Sequence, residues 1–464
     1  MSRDRVAAVV MAAGKGTRLK SDTAKVLHPA AGRSLLGHVL EAVRPLGLGQ
    51  VVVVVGHQAD DVRAEAEAAD LPGLTTVLQA EQHGTGHAVE VAMEAVRDDV
   101  DTVMVLNGDV PLLTPDTLAR LADTPVGEGA LLTSVLDDPT GYGRVLRDDA
   151  GRVTGIVEHG DATDEQRAVD EINGGMYAFP AAGLRERLAS LSAGNEQGER
   201  YVTDVVAMLV ADDVPVDGVV CPAEEIAGVN DRAQLAEAAG VLRRRHLHRL
   251  MTEGGVTVVD PASTWVDVTV EVGADTVVQP GCLLEGATRV GAHAVVGPYS
   301  QLTDTVVEDG AVVRQSVCDR AHVGPDAQVG PFTHLRPDAT LHERAKTGAF
   351  VEVKKSTIGT GSKVPHLSYV GDAVVGEAAN IACGVITVNY DGTTKSTTTI
   401  EDGAFVGCDT MLIAPVTVGA GSYVAAGSTI TDDVPADALA SARARQTVKE
   451  GWAARRRGET PADD

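Results

Sequence analysis

Apolar residues in the first half of the chain come in short runs separated by mixed stretches. Val6–Met11, Val51–Val55, Thr102–Leu106 and Ala130–Val135 are β-branched or apolar runs of strand length. Leu35–Val43 and Gly86–Val96, lying between them, read as helices. Strands alternating with helices predict a mostly parallel sheet covered on both faces, an α/β domain over residues 1–232. Residues 233–253 predict a linker helix, with Leu235, Ala238, Ala239 and Leu242 on one stripe and Gly254-Gly255 as its stop. Arg243, Arg244, Arg245, His246 and Arg249 make that helix locally basic, which reads as a solvated face rather than a binding patch.

Beyond Gly255 the pattern changes. Aliphatic residues recur every sixth position at Val266, Val272, Val278, Leu284, Val290, Val296 and Leu302. The phase slips and resumes at Val317, Val323, Val329, Leu335 and Leu341, then slips again and resumes at Ile400, Val406, Leu412, Val418, Val424 and Ile430. Neither a helix nor a simple alternating strand has this period. It predicts a parallel β-helix of hexapeptide repeats over residues 254–464, with each aliphatic pointing inward and small residues at the corners. The slips read as loop insertions, one of them between about Leu341 and Val375, and inserted loops on solenoids often carry the binding site. The polar, charged end from about residue 453 reads as a disordered tail.

Composition narrows the function. Lys plus Arg is 39 and Asp plus Glu is 66, a formal charge of −27. A nucleic-acid binder needs a basic footprint, so no nucleic-acid partner is expected. Only 4 Phe, 2 Trp and 7 Tyr accompany 50 Gly, which suits a repetitive aliphatic solenoid. No apolar run approaches the ~20 residues of a spanning helix, so no membrane partner is expected. The five cysteines, Cys221, Cys282, Cys318, Cys383 and Cys408, are scattered without metal-ligand spacing. A cytoplasmic protein with free thiols follows.

AVVMAAGKGTRLK, from Ala8, runs from strand into a Gly-rich turn. Gly14 and Gly16 let the backbone approach a phosphate, and successive amides can cradle it. The dinucleotide fingerprint fails at Leu19, and the Walker spacing is absent. Lys15, Arg18 and Lys25 follow closely enough to neutralise a triphosphate. A tight turn with surface lysines reads the bare Gly-x-Gly equally well. Asp109 stands at the expected C-terminal end of a strand, where α/β sheets bind ligands, although turn aspartates are common.

AAGKGTR followed by AKVLHPAAG, QAEQHGTGHA, NGDVPLL, GYGRV, VEHGDATDEQ and EINGGMYAF together resemble the sugar-phosphate nucleotidyltransferases. With the hexapeptide half, the resemblance extends over nearly the whole chain to the bacterial bifunctional N-acetylglucosamine-1-phosphate uridylyltransferase/glucosamine-1-phosphate N-acetyltransferase family. It implies a Rossmann-like α/β nucleotidyltransferase domain followed by a left-handed parallel β-helix. It implies acetyl transfer from acetyl-CoA to glucosamine 1-phosphate, then uridylyl transfer from UTP to the product. Asp109 and Asn230 would ligate Mg²⁺, for which oxygen ligands are suited. Met11, Ala12, Ala13, Gly14, Gln79, Gly84 and Thr85 would hold the uridine nucleotide, with Asn107 and Gly108 beside Asp109. Gly143, Glu158 and Asn173 would hold the sugar. Lys25 and Arg18 would stabilise charge on the triphosphate. Ala24 stands where the family usually has Pro, which is expected to loosen Lys25. Asn107 stands where a Tyr is frequent.

In the second half, Lys354, Lys355, His366 and Tyr369 cluster in the expected insertion, with Arg336 before it and Asn380, Asn389, Tyr390 and Lys395 after it. A lone loop His is usually plain surface; one within a set of cations and amides beside a solenoid favours a site. The resemblance makes His366 the general base. Arg336, Lys354, Tyr369 and Asn380 would bind the sugar phosphate. Cys383, Asn389, Tyr390, Cys408, Ala426 and Arg443 would line the acetyl-CoA site. Cys408 replaces the family's usual Ser and Cys383 its usual Ala, and a thiol is the weaker donor. Related acyltransferases are trimers, so a homotrimer is expected. The competing readings are a nucleotidyltransferase with a silent solenoid, which should lack the Arg-Lys-His-Tyr-Asn set, and a non-catalytic scaffold, which Asp109, Lys25 and Arg18 argue against.

Overall fold

The computed structural model describes residues 3–192 and 198–459. The chain divides into two compact units, 1–245 and 246–464.

In the first unit the strands are β1 (Val6–Ala12), β2 (Gln50–Val55), β3 (Leu74–Leu78), β4 (Thr102–Asn107), β5 (Gly129–Val135), β6 (Arg144–Arg147), β7 (Val153–Val157), β8 (Glu171–Pro180) and β9 (Val216–Val220). They form one sheet in the order β9-β5-β8-β4-β1-β2-β3, with β6 and β7 appended beside β8. β1 runs parallel to β2 and β4, whereas β8 is antiparallel to both β4 and β5, so the sheet is mixed. Period-two alternation sends Ala8, Val10 and Ala12 to one face, against Leu36, Val39 and Leu40 of helix α1 (Leu35–Val43). Ala7 and Val9 meet Val89, Ala92 and Met93 of a second helix, Thr85–Met93, on the other face. Ser34 caps α1 by accepting from the Gly37 amide at 2.8 Å.

The expected linker helix spans Arg232–Thr252, and the division between units falls within it. Ala238, Ala239 and Leu242 of its stripe are buried. Arg245 is spent locally, donating to the Leu112 carbonyl (2.7 Å) and to Glu224 (2.6 Å).

The second unit is a left-handed parallel β-helix with three parallel sheets of 11, 10 and 9 short strands. The inward column Val266, Leu284, Leu302, Cys318, Leu335, Val353, Val370 shows how one face repeats coil by coil. Val317 points outward and Cys318 takes the core position, 42% against 0% exposed. Inward Val307, Val313, Cys318 and Val323 show that this slip consists of faces shortened to five residues, not of an inserted loop. The slip between Leu341 and Val375 is not an insertion either. Thr347, Val353, Ile358, Val364 and Val370 continue the core without a break, and polar Thr347 hides the period. The long interruption lies later, between buried Thr387 and Ile400. In the stretch expected to be disordered, Trp452–Arg457 form a short helix bounded by left-handed Gly451 and Gly458; residues 460–464 lie outside the described residues.

Candidate active sites

In the first unit, the C-terminal ends of β1 and β4 meet at one cleft. Beyond Ala12 the loop passes over Lys25. Gly16 has a φ of +59°, and a Cβ there would run into the Lys25 stem, so this crossing needs glycine. Gly108 packs equally tightly: its amide donates to the Met11 carbonyl at 3.0 Å, and a Cβ would sit 2.9 Å from that oxygen. This contact sets Asp109 at the mouth of the parallel strands.

The cleft measures about 370 Å³. Met11, Ala12, Ala13, Gly14, Arg18, Lys25, Gln79, Gly84, Thr85, Asn107, Asp109 and Asn230 all line it, and Gly108 lies beneath. Thr17, Val26, Gln82, Ala88 and Glu199 also line it without having been singled out. Gln82 belongs to the motif QAEQHG and donates to the Ala13 carbonyl, fixing the loop. Gly143, Glu158 and Asn173 form a neighbouring cluster. The Asn173 amide donates to the Gly143 carbonyl (2.9 Å), and a Cβ at Gly143 would press on the Glu158 carboxylate. Burial, with Asp161 and Asp204 nearby, pushes the Glu158 carboxyl above its ordinary range. Asn173 reaches the cleft wall through Gly175, whose amide donates to Asn173 Oδ1 (3.0 Å) and whose carbonyl accepts from Asn107 (3.1 Å).

The cations are ordered. Lys25 Nζ pairs with Asp109 Oδ2 and donates to Asn230 Oδ1 at 2.8 Å, while Arg18 Nη2 donates to the same oxygen at 2.8 Å. The Lys25 side chain is 13% exposed. It is not loosened by Ala24. Ala24 keeps a proline-like φ of −54°, and the amide that a proline would lack donates to Gln58 Oε1. Gln58 in turn donates to the Asp22 carbonyl at 2.6 Å. The Lys25 ammonium thus occupies the point where a carboxylate and an amide oxygen converge. That donor pair, completed by nucleotide phosphates and water, fits Mg²⁺. Among the described residues no group of three or more His, Cys, Asp or Glu could hold a metal unaided.

In the second unit Lys354, His366 and Tyr369 sit on coils, not in an inserted loop. The register stacks Glu352 on Tyr369 and Lys354 on Gly371. A Cβ at Gly371 would collide with the Tyr369 hydroxyl, so glycine gives that ring its place. Arg336 donates to Glu352 at 2.8 Å. Lys354 lies 3.4 Å from Asp372, which also accepts from Asn389. Asp372 was missed: it is an acidic residue among cations, and only the coil geometry places it between Lys354 and Asn389. Lys395, on the long interruption, lies beside Lys354, whose ammonium pulls it below the ordinary lysine range. Tyr390 is exposed on the same interruption, its hydroxyl donating to the Gly392 carbonyl at 2.6 Å. Asn380 opens a strand one coil beyond Lys363.

His366 is exposed at the end of the strand Lys363–His366. It shares a corner with Cys383, Cys408 and Ala426. The Gly384 amide donates to the His366 carbonyl (3.3 Å), the Asp409 amide to Cys383 (2.8 Å) and the Gly427 amide to Cys408 (2.8 Å). These four expected residues are one column on consecutive coils. Arg443 is exposed just beyond Ala442, whose carbonyl accepts from Thr429 at 3.2 Å. A larger hollow, about 610 Å³, lies elsewhere on the solenoid around Glu271, Arg289, Glu308 and Asp309 and holds none of the expected residues.

Residues 8–200 match the family of MobA-like NTP transferase domains, and residues 397–432 match the bacterial transferase hexapeptide with its six repeats. The chain is 52% identical to the bifunctional protein GlmU of Streptomyces avermitilis, covering 98% of this chain and 96% of that one. It is 49% identical to the bifunctional protein GlmU of Corynebacterium glutamicum, covering 98% and 95%. The same name belongs to a protein of Heliobacterium modesticaldum that is 49% identical over 97% and 98% of the two chains. With about half of all positions identical along nearly the whole length, and with both halves carrying the matching folds, this chain belongs to the GlmU family of bifunctional proteins.

Proposed function

We propose that the solenoid transfers an acetyl group from acetyl-CoA to the amine of glucosamine 1-phosphate, and that the α/β unit transfers a uridylyl group from UTP to the resulting N-acetylglucosamine 1-phosphate. The observation that supports this reading is that each unit gathers its own group of chemical residues. Arg18, Lys25, Asp109 and Asn230 hydrogen-bond or ion-pair with one another in the first. In the second, Lys354, Asp372, Asn389 and the His366 column lie on neighbouring coils.

In the α/β unit the sugar-phosphate oxygen attacks the α-phosphorus of UTP and pyrophosphate leaves. Gln79, Gly84 and Thr85 fix the nucleotide in the cleft, and Glu158 and Asn173 receive the sugar. Lys25 and Arg18 hold positive charge where negative charge develops. Asp109 and Asn230 would hold Mg²⁺. A divalent cation there neutralises the nucleotide's phosphates.

In the solenoid, Arg336 and Lys354 grip the sugar phosphate, with Tyr369 and Asn380 orienting the ring. His366 takes a proton from the amine, whose nitrogen then attacks the thioester carbonyl; the C–S bond breaks and CoA leaves as the thiol. Cys383, Cys408 and Ala426 line the path of the acetyl-CoA, Asn389 and Tyr390 flank it, and Arg443 meets its phosphates. Copies of the chain assemble as a homotrimer in the cytoplasm. Phe332 and Phe350 stack at 5.3 Å and, with Leu367, leave a ridge 52%, 61% and 58% exposed next to His366, an apolar surface suited to a neighbouring solenoid.

The test supplies purified protein with glucosamine 1-phosphate, acetyl-CoA, UTP and Mg²⁺ and follows CoA and pyrophosphate separately. Both products are expected. Pyrophosphate from N-acetylglucosamine 1-phosphate and UTP without any release of CoA would leave the solenoid a silent module.

A further inference from the structure

Three of the five thiols are sealed in cores: Cys221, Cys282 and Cys318 are 5%, 1% and 0% exposed. Cys383 is half-buried and Cys408 exposed. Although 25 positions apart in sequence, these two are directly stacked. Asn380 pairs with Phe405 and Ile381 with Val406 on one side of them, and Ile386 pairs with Met411 on the other. The ladder bonds Ala382 N–H to Val406 O (2.9 Å) and Asp409 N–H to Cys383 O (2.8 Å) enclose the pair.

Strands in a ladder lie about 4.8 Å apart. Disulfides join Cα atoms about 4.4–6.8 Å apart and Cβ atoms about 3.5–4.5 Å apart, so closure asks two stacked Cβ atoms to lean together by a few tenths of an ångström. Both cysteines precede a left-handed residue, Gly384 at φ +76° and Asp409 at φ +55°, so both corners turn alike and their side chains leave in the same sense. One coil earlier in the same column stands His366, and one coil later Ala426.

We propose that Cys383 and Cys408 form a dithiol modification site, which a mild peroxide oxidant closes into a disulfide across the acetyl-CoA path. The inference rests on the acetyl-transfer reading above. The exposed Cys408 sulfur attacks one oxygen of hydrogen peroxide; the O–O bond breaks, giving a sulfenic acid and water. The Cys383 sulfur then attacks the Cys408 sulfur; the S–O bond breaks and a second water leaves with the thiol proton. Two thiols and one peroxide become one disulfide and two waters, the sulfurs losing two electrons and the peroxide gaining them. The closed pair removes both thiols from the acyl path and fixes two coils together beside His366. The first unit holds no part of this column, so uridylyl transfer is untouched.

Full-length protein is titrated with hydrogen peroxide, digested under non-reducing conditions and weighed. Acetylated sugar phosphate and pyrophosphate are quantified in parallel by chromatography, because a thiol-reactive dye would report on the enzyme itself. A peptide joining Cys383 to Cys408, lighter by two hydrogens, is expected. Acetyl transfer falls in proportion to the joined fraction, pyrophosphate release does not, and dithiothreitol restores the loss. Cys383→Ala and Cys408→Ser variants, each compared with its own untreated rate, keep their acetyl transfer through the same treatment. Singly oxidised cysteines without the joined peptide, a joined enzyme that still transfers acetyl groups, or equal loss in the variants overturns the proposal. An untreated parent that transfers no acetyl group refutes the site assignment instead, since the joined peptide is read by mass alone.

Discussion

Lys25→Ala tests the first site at its most loaded point. Lys25 meets both Asp109 and Asn230, so its ammonium would compete with a divalent cation held by the same two residues. Removing it has two opposed effects. The reaction loses a preorganised positive group where charge develops, an effect worth about 10²–10³ in kcat. The cation, however, no longer has to displace two charge-assisted hydrogen bonds, each worth about 1.5–3 kcal/mol. At about 1.4 kcal/mol per tenfold, relief from even one of them raises cation affinity roughly tenfold to a hundredfold. The assay measures pyrophosphate release at saturating UTP across a magnesium titration, and Mn²⁺ binding to nucleotide-free protein by electron paramagnetic resonance. Slow turnover with tighter Mn²⁺ binding is expected, together with normal acetyl transfer. An unchanged kcat, or Mn²⁺ binding weaker than in the parent, would refute the reasoning, because a lysine that merely braces the loop has no cause to oppose the metal.

Three further expectations concern the rest of the chain. His366→Ala lowers CoA release by about 10²–10⁴, the usual worth of a general base, and leaves pyrophosphate release near normal; loss of both activities would show that the change acts through the fold. Val290→Asp or Val424→Asp, at inward positions 4% and 1% exposed, costs several kcal/mol because a carboxylate is buried without a partner; calorimetry showing the parent's melting profile would contradict the inward assignment. Burial pushes the imidazoles of His38 and His246 from 6.5 down to about 4. The unfolded chain therefore binds these protons first, and stability present above pH 6.5 is lost as pH falls towards about 4. In urea titrations His38→Gln should show a shallower fall over that window, and a slope equal to the parent's would exclude His38 as a source.

What could be read from the sequence follows physical lines. β1, β2, β4 and β5 were legible because a strand covered on both faces is almost continuously apolar. The first site was legible because its residues lie in contiguous stretches at strand ends. Ala24 looked like a weakness because a sequence shows the missing proline ring and not the partner its amide gains; Gln58 is 34 positions away from it. In the solenoid the six-residue period held wherever the inward residue was aliphatic and the face full length. Thr347 broke the first condition and the five-residue faces around Cys318 broke the second. Thr387 occupies the same core bonded internally, donating to the Gly371 carbonyl at 3.0 Å, whereas the Thr347 hydroxyl is buried without a partner. Asp372 gave no signal at all, because its role depends on register between coils.

That register explains how one column can be assembled from residues at irregular spacing. His366, Cys383, Cys408 and Ala426 are separated by 17, 25 and 18 positions, intervals without a common period. Each coil nevertheless returns the chain to the same corner, because the inward residues lock its phase: Ile381 pairs with Val406 across the long interruption as closely as Val406 pairs with Val424 beyond it. The additional residues between Thr387 and Ile400 are therefore absorbed outside the core. They carry Tyr390 and Lys395 outward, and leave Asn389 buried, without shifting the column. Asn389 then reaches back to Asp372, the same carboxylate that faces Lys354. The core fixes the His366 column, and the long excursion places Asn389 on Asp372. A change confined to the excursion leaves the His366 column in its place, because the inward pairs on either side of it hold the phase.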